Sequence, residues 1–429
     1  MVSRLSAIAF GVVAVLALAS CETDNKPPPS SSTSSTVQAS PTDTPLAGPT
    51  TPAIAPNATT PTGAAVMTPV VGSVLAPPVP VPGTDGKIHL AYELELTNTL
   101  SQEVTLTSVA AVAGDKTLQT LTGDGLAYWT RVLGSKTPTN KIGPGQTALV
   151  WLDVAVDDQA SVPADVGHMV GLAIPQPQPP LIPATTTESI APTRVETRQP
   201  AAIASPLRGP GWLNGDGCCG MSAHRMAMNP LNGQLWGAER FAIDFVQLTP
   251  EGRLYTGDAA KLESYAYFGT DIHAVADGPV VAVVNDLPEQ VPGKNPTGLP
   301  LDQYAGNHIV QDIGGGNYAF YAHLQPGSVK VKPGDQLSTG QSIAALGNSG
   351  NTDAPHLHFH VMSTPDPLRS NGLPFVFTAF RLDSRAASAE ALDALLTTGG
   401  PLAMQPGFAA SDQKNRMPLN LDTVSFPAG

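Results

Sequence analysis

Residues 355–361 carry the side chains whose chemistry is most evident from type and spacing. His356, His358 and His360 alternate there with apolar residues. This period of two is typical of a β-strand, in which successive side chains point to opposite faces. We therefore expect the three imidazoles to share one face. Because neutral imidazole is a good zinc ligand, the pattern indicates a metal site.

The composition of the chain narrows its fold class. The 429 residues include 43 Pro and 41 Gly, while charged residues make up only 13%. This favours β-structure with many turns and disordered linkers over helical bundles or coiled coils. The net charge of −13 gives no electrostatic reason to expect nucleic-acid binding. Three cysteines cannot build a disulfide framework.

Residues 1–20 have the features of an export signal. Arg4 precedes an apolar stretch that is short for a membrane span. The run Leu18-Ala19-Ser20-Cys21 resembles a bacterial lipoprotein processing site, in which the sulfur of Cys21 would carry the lipid. We expect an exported, extracytoplasmic protein with a lipid anchor in the cell membrane; an ordinary secretory signal is the alternative. Residues 21–70, rich in Pro, Ser and Thr, are expected to form a disordered tether.

Residues 71–175 show the short alternating runs of a β-sandwich. Residues 88–96, for example, alternate apolar side chains with polar ones before a Thr-Asn-Thr break. Several such runs separated by turn signals favour an immunoglobulin-like sandwich. No chemistry is evident in this region, since His89 and His168 are isolated and are expected to be structural.

Two further stretches complete the domain organisation. Residues 176–208 are rich in Pro, Thr and Ala, which predicts an interdomain linker or a strand lying over the surface. Residues 381–429 are expected to be a C-terminal tail. It would contain a short helix over 387–396 and then an extended, weakly packed end.

Residues 209–380 contain the other segments of chemical interest. A strand-like run at 240–246 has Asp244 in an apolar setting, and a second run at 318–324 ends in His323. Tight-turn signals follow and separate further short strands. The region therefore predicts a β-domain that contributes an acid and several imidazoles.

Together these segments resemble the LytM-type, or lysostaphin-like, M23 zinc metallopeptidases. The resemblance covers residues 241–362 and is most specific in four runs: Tyr321-Ala322-His323-Leu324, Lys332-Pro333-Gly334-Asp335, Gly347-Asn348-Ser349-Gly350 and Pro355-His356-Leu357-His358-Phe359. It implies a mostly β chain whose C-terminal domain has the duplicated hybrid, barrel-sandwich fold, with Zn²⁺ as cofactor.

The resemblance also implies roles for individual residues. Asp244 and His358 would be zinc ligands, and His323 and His356 a catalytic pair beside the metal-bound water. A catalytic zinc keeps one position open and lowers the pKa of that water towards about 7. A neighbouring imidazole can then act as general base or hydrogen-bond the developing oxyanion. His360 stands where the family usually has Glu, so its role is open.

One position departs from the family pattern. Four residues before Asp244, where the first His ligand is expected, the chain has Arg240. A guanidinium has no lone pair to give to zinc. Three explanations compete. His224 could supply the missing ligand from an upstream loop. Alternatively, His360 or His308 could supply it. Otherwise the metal site is lost and Arg240 forms an ion pair with Asp244.

Other residues also have more than one interpretation. Cys218 and Cys219 are expected to form a vicinal disulfide, with metal ligation or two buried thiols as alternatives. His273 and His308 lie in strand-like runs and are expected to be structural or to line a groove. Residues 287–301, rich in Pro and Gly, look like an inserted loop beside a substrate groove.

The function expected from these features is zinc-dependent hydrolysis of peptide cross-links in bacterial peptidoglycan. A protein of a different class is the alternative: a catalytically degenerate domain that binds the cell wall or activates another cell-wall hydrolase. A plain structural lipoprotein is the third possibility. The first predicts bound zinc, the second affinity for the wall without metal, and the third neither.

Overall fold

The computed structural model describes residues 65–428. The expected signal peptide, the lipidation site at Cys21 and most of the tether lie outside these residues. The described part is mostly β, as expected, with three short α-helices: α1 (Gly123–Tyr128), α2 (Ala223–Met226) and α3 (Ala389–Thr398). Within it, no helix combines the length and apolar character needed to cross a membrane.

The first ten strands form two antiparallel sheets that face each other. One sheet has the order β1-β3-β8-β6 with β2 beside β3, and the other has the order β10-β9-β4-β5 with β7 beside β4. The strands are β1 (Val70–Val74), β2 (Val81–Pro82), β3 (Ile88–Asn98), β4 (Val104–Ala113), β5 (Lys116–Thr122), β6 (Thr130–Val132), β7 (Lys141–Ile142), β8 (Thr147–Val156), β9 (Asp165–Ala173) and β10 (Thr185–Arg194).

The alternation of β3 and β8 gives the first sheet two different faces. Leu90 and Leu94 of β3 point into the sandwich core together with Val150 of β8, and all three are fully buried. Glu93 and Trp151, which are paired across β3 and β8, point the other way. They are buried as well, because the C-terminal part of the chain covers this outer face.

The remaining strands build the C-terminal part. A large sheet, antiparallel throughout, has the order β20-β17-β18-β19-β22-β15-β12-β27-β25-β26, with β23 beside β22. Small two-stranded sheets join β13 to β14, β16 to β21, and β11 to β24. The strands are β11 (Ala201–Ile203), β12 (Gly209–Gly215), β13 (Asn229–Leu231), β14 (Gln234–Trp236), β15 (Ile243–Gln247), β16 (Asp271–His273), β17 (Gly278–Val284), β18 (Asn307–Asp312), β19 (Tyr318–Leu324), β20 (Gln336–Leu337), β21 (Ser342–Ala345), β22 (Leu357–Met362), β23 (Gly372–Leu373), β24 (Phe375–Phe377), β25 (Phe380–Arg385), β26 (Ser411–Gln413) and β27 (Asp422–Phe426).

Residues 176–208 and 381–429 both contribute strands to the sheets, which agrees with the strand alternative for the first of these stretches. Strand β10 lies within residues 176–208 and pairs with β9 as an edge strand of the sandwich. The expectation of a weakly packed tail is wrong, since β27 inserts between β12 and β25 in the large sheet. Phe426 of this strand is 4% exposed and contacts the rings of Phe245 and Phe377. Burial of an aromatic side chain holds the tail in place.

Candidate metal centre

Adjacent strands bring Asp244 and His358 together. Strand β15 pairs with β22 so that Asp244 lies directly opposite His358, and Ala322 of β19 lies on the other side of His358. Directly opposed residues on neighbouring strands point to the same face. Nδ1 of His358 is therefore only 2.9 Å from Oδ1 of Asp244.

His224 reaches the same carboxylate from outside the large sheet. It lies in the four-residue helix α2, where the Ser222 hydroxyl caps the first turn. Its Nδ1 lies 3.2 Å from the carbonyl oxygens of both Asp216 and Ala242, so Nδ1 carries the proton and donates it. Nε2 faces Oδ1 of Asp244 at 3.3 Å without forming a well-aligned hydrogen bond. A lone pair thus faces an anionic oxygen, an arrangement that calls for a proton or a cation.

The pKa shifts of His224 and Asp244 also indicate a site for positive charge. Burial opposes a charge on His224, but the neighbouring Asp244 carboxylate outweighs it and raises the pKa of the imidazole to about 10. Burial likewise opposes ionisation of Asp244, yet His224 and His356 hold the pKa of its carboxyl well below the usual range. The pocket around Asp244 therefore favours positive charge.

The three donors have the spacing that a tetrahedral ion needs. The donor atoms of His224, Asp244 and His358 lie within 4.8 Å of one another, and all three residues are buried. Metal–ligand bonds of about 2.0–2.1 Å give a tetrahedron an edge of about 3.4 Å, close to the contacts of 3.3 Å and 2.9 Å around Oδ1. Two imidazoles and a carboxylate are also a common donor set for catalytic zinc. These residues fit the ion.

His356 and His323 lie beside this group with their tautomers set by the backbone. Nδ1 of His356 donates to the Ala354 carbonyl at 2.9 Å, and Nδ1 of His323 donates to the Ser349 carbonyl at 2.7 Å. Their ring centroids are 4.6 Å apart, and Nε2 of His356 is 3.4 Å from Oδ1 of Asp244. Burial lowers the pKa of His323 well below its usual value, and the nearby imidazoles add a smaller effect in the same direction. His323 is therefore neutral near pH 7.

His360 contacts the centre indirectly. Its Nδ1 is 2.9 Å from Nε2 of His358, so it bonds the ligand's second nitrogen and does not reach Asp244. His308, the other substitute considered, donates from Nδ1 to the Gly306 carbonyl at 2.8 Å and lines a neighbouring groove. Neither residue belongs to a group of potential metal donors in the described part of the chain.

Arg240 does not pair with Asp244, and that expectation is wrong. Its Nε donates to both carboxylate oxygens of Glu93, at 3.0 and 2.8 Å, and Nη2 bonds the same group. Arg225 contacts Glu93 from another side at 3.4 Å. Glu93 belongs to the sandwich, for which the sequence predicted no role in the site. An acidic residue in an alternating strand normally faces solvent, so the pattern did not distinguish Glu93.

Cys218 and Cys219 form the expected vicinal disulfide. The sulfur of Cys219 lies near His89 and Asp153 in a possible donor group. Because that sulfur is already bonded to Cys218, the group is not a competing metal site.

A narrow cavity and a wider groove give access to the centre. The cavity is lined by His323, His358 and His360, and it shares Leu301 and Leu368 with a groove of about 900 Å³. The loop predicted at 287–301 ends at this shared wall. His273, by contrast, lies in β16 and lines neither space.

Two acids near the centre were missed at the sequence level. Glu239 lines the cavity, its Oε2 has no hydrogen-bond partner, and burial raises the pKa of its carboxyl to about 7. Burial also raises the pKa of Asp216, whose carbonyl holds His224, to about 6. Both lie in stretches without periodicity, so no pattern singled them out.

Comparison with known proteins identifies the domain. Residues 262–370 match the family model "Peptidase family M23". A stretch of 102 residues is 30% identical to peptidoglycan DD-endopeptidase ShyA of Vibrio cholerae serotype O1 (strain ATCC 39315 / El Tor Inaba N16961), covering 24% of this chain and 20% of that protein. Peptidoglycan DD-endopeptidase ShyB of the same organism is 31% identical over 100 residues, covering 23% and 19%.

Among solved structures, the catalytic domain of lysostaphin from Staphylococcus simulans shares 21% identity, with 38% of this chain and 88% of that chain covered and a TM-score of 0.21. The chain matches only about a fifth of the length of the two curated relatives. His224, Arg240 and Asp244 precede the matched range, whereas His323, His356 and His358 lie within it. On the family match, the chain contains a peptidase domain of family M23.

Proposed function

We propose that the chain is a zinc-dependent endopeptidase that cuts peptide cross-links in bacterial peptidoglycan. The M23 match and the two DD-endopeptidase relatives support the class of reaction and of substrate. The observation that carries the proposal is the approach of His224 Nε2 to Asp244 Oδ1 at 3.3 Å. His224 would thereby supply the donor atom that Arg240 cannot provide.

In this proposal zinc is held by His224, Asp244 and His358. When bound, it would activate a water molecule and polarise the scissile carbonyl. The protein residues have separate tasks. His323 holds its Nδ1 proton on the Ser349 carbonyl, which leaves Nε2 free to accept a proton from the attacking water. The proton that His323 accepts can then pass to the leaving amine, which balances the step. His356, fixed by the Ala354 carbonyl, places Nε2 beside Asp244 and would stabilise oxyanion charge when that nitrogen also carries a proton.

The groove next to the cavity is proposed to hold the peptide. Its volume of about 900 Å³ lies in the range of small-molecule and peptide sites. Asp366 and Arg369 at its edge form an ion pair with each other and offer both charge signs to a cross-linked peptide stem. Leu301 and Leu368 line both this groove and the cavity that contains His323, His358 and His360.

The degenerate alternative has less support. It started from the missing first His ligand and expected Arg240 to form an ion pair with Asp244, whereas Arg240 is bonded to Glu93. Export and anchoring through lipid on Cys21 remain proposals, consistent with a substrate outside the cytoplasm. Mass spectrometry of the N-terminal peptide of protein purified from membranes would test them. Association with other cell-wall hydrolases is likewise a proposal.

The decisive experiment measures metal content and cleavage in the same preparations of the full chain. We expect about one zinc per chain and release of un-cross-linked muropeptides from purified sacculi. Both should be lost in His358→Ala and in His224→Ala. The matched control is His273→Ala, a buried histidine of the same domain outside the donor group. A folded, metal-free chain that binds sacculi without cleaving them would overturn the proposal.

A further inference from the structure

The position of His224 depends on contacts from outside its helix. Helix α2 has only four residues, which is below the length at which a helix is stable on its own. It also lies outside the sheet that fixes Asp244 and His358. The location of His224 must therefore depend on what contacts the helix.

Arg225, the next residue, is held mainly by the sandwich. Its guanidinium donates to the carbonyl oxygens of Tyr92 and Leu152, each at 3.2 Å, as well as to that of Cys219 at 2.7 Å. Its own carbonyl accepts the indole N–H of Trp151 at 2.7 Å. Arg225 is fully buried. The backbone of His224 is thus tied to β3 and β8 through its neighbour.

Glu93 links this anchor to the strand of Asp244. Its carboxylate accepts bonds from Arg225 and Arg240, which sit on the His224 and Asp244 segments respectively. Glu93 and Arg225 are fully buried and Arg240 is 4% exposed. Burial opposes ionisation of Glu93, yet the two guanidiniums lower the pKa of its carboxyl, so the charge is maintained. Removal of the Glu93 carboxylate would leave the buried guanidiniums of Arg225 and Arg240 without their shared counter-charge.

We infer that the sandwich completes the metal centre, with Glu93 as a positioning residue that acts through Arg225 and Arg240. The inference rests on the proposed zinc site and extends it to a second domain. The sandwich contributes no donor to the ion. It holds the segments from which His224 and Asp244 extend.

The test uses the full chain with Glu93→Gln, which keeps the shape and removes the charge. We expect the dissociation constant for zinc, measured by chelator competition, to rise at least tenfold. The visible spectrum of the Co²⁺-loaded protein should also change, because donor geometry sets those bands. The matched control is Glu188→Gln, a buried glutamate in β10 that bonds the Val70 amide within the sandwich. Its zinc affinity and cobalt spectrum should equal those of the unsubstituted chain.

A second variant covers the case in which Glu93→Gln fails to fold. Trp151→Phe removes the indole N–H that holds the Arg225 carbonyl while keeping a buried aromatic ring, and it should weaken zinc binding in the same direction by a few-fold. Unchanged affinity and spectrum in Trp151→Phe, and in Glu93→Gln where it folds, would overturn the positioning role alone. Absence of zinc from the unsubstituted chain would overturn both this inference and the proposed function.

Discussion

Nε2 of His358 and Nδ1 of His360 lie 2.9 Å apart, although their strand positions are separated by two residues. A rise of about 3.3 Å per residue places the backbones of two such residues about 7 Å apart along the strand. The two rings are nearly perpendicular, with an interplanar angle of 89°. This geometry lets one imidazole bond the second nitrogen of the other, as the outer partner of a metal-ligating histidine does.

The first prediction concerns His360→Ala. If Nδ1 of His358 ligates zinc, its proton is on Nε2 and is donated to His360. Loss of that acceptor should weaken zinc binding by about 10- to 100-fold, less than the loss in His358→Ala. Chelator competition on the two variants measures this. An affinity equal to that of the unsubstituted chain would assign His360 to packing against Phe320 alone.

His323→Ala should separate binding from chemistry. His323 is no member of the proposed ligand set, so zinc content should stay near one per chain. The rate of sacculus cleavage at saturating substrate should fall by about 10²–10⁴-fold, since a positioned general base contributes that much. Parallel loss of zinc and activity would instead make His323 a ligand.

Arg240→His should not improve the metal site. Although it restores the residue type of the family pattern, it removes one of the two cations that neutralise Glu93. The free energy of unfolding should fall by about 3 kcal/mol, the cost of breaking a buried ion pair, with no gain in zinc affinity. Urea unfolding of the metal-free chain measures the first quantity. Arg381→His, at an exposed ion pair with Asp412, is the control and should change it by less than about 0.5 kcal/mol. A sharp rise in zinc affinity would mean that the natural site is degenerate.

His89 should make stability depend on pH. Burial opposes its charge, but hydrogen bonds to Asp153 and Asp85 raise its pKa to about 9. A raised pKa stabilises the folded state fully below the unfolded value of about 6.5, and this contribution is lost as the pH rises through about 9. The difference in unfolding free energy between the unsubstituted chain and His89→Gln should therefore shrink by about 3 kcal/mol between pH 6 and pH 10.

The control for this measurement is His168→Gln. Burial lowers the pKa of His168, so its imidazole is neutral in the folded state above pH 7. Because the unfolded histidine titrates near about 6.5, the difference should be flat from about pH 8 to pH 10. A flat difference for His89 as well would contradict the assigned ion pairs.

Phe426→Ala tests whether the C-terminal strand is part of the core. Deleting a buried aromatic ring should lower the unfolding free energy by about 3 kcal/mol. Val281→Ala, at a residue that is 38% exposed, should have little effect. If Phe426→Ala lowered the unfolding free energy as little as Val281→Ala does, the C-terminal strand would be only weakly packed.

The sequence predicted what period-two alternation can encode. Strands β3, β8 and β22 lie where apolar and polar residues alternate, and the expected helix near 387–396 begins at the Ser388 cap. Alternation does not reveal which strand lies beside which. That Asp244 and His358 come together was therefore expected only from the family resemblance, and the register that pairs them was not predicted.

The positions of other residues had no local signal, even where the residue itself was a candidate. His224 sits in a helix too short for periodicity, and its position depends on contacts over 130 residues away in sequence, such as Arg225 to Glu93. Glu93 occupies the side of β3 that normally faces water, and only the packing of a second domain buries it. Strand β27 is five residues long and was hidden in a polar stretch.

The shared carboxylate of Glu93 has a consequence for engineering. A C-terminal part excised near residue 200 and fused to a different N-terminal module would carry Arg225 and Arg240 without the Glu93 carboxylate and without the outer β3–β8 face. Such a chimera would retain Asp244 and His358 but lose the fixed location of His224. The C-terminal part should therefore be transferred to a fusion protein together with its sandwich, which supplies the counter-charge and the covering surface.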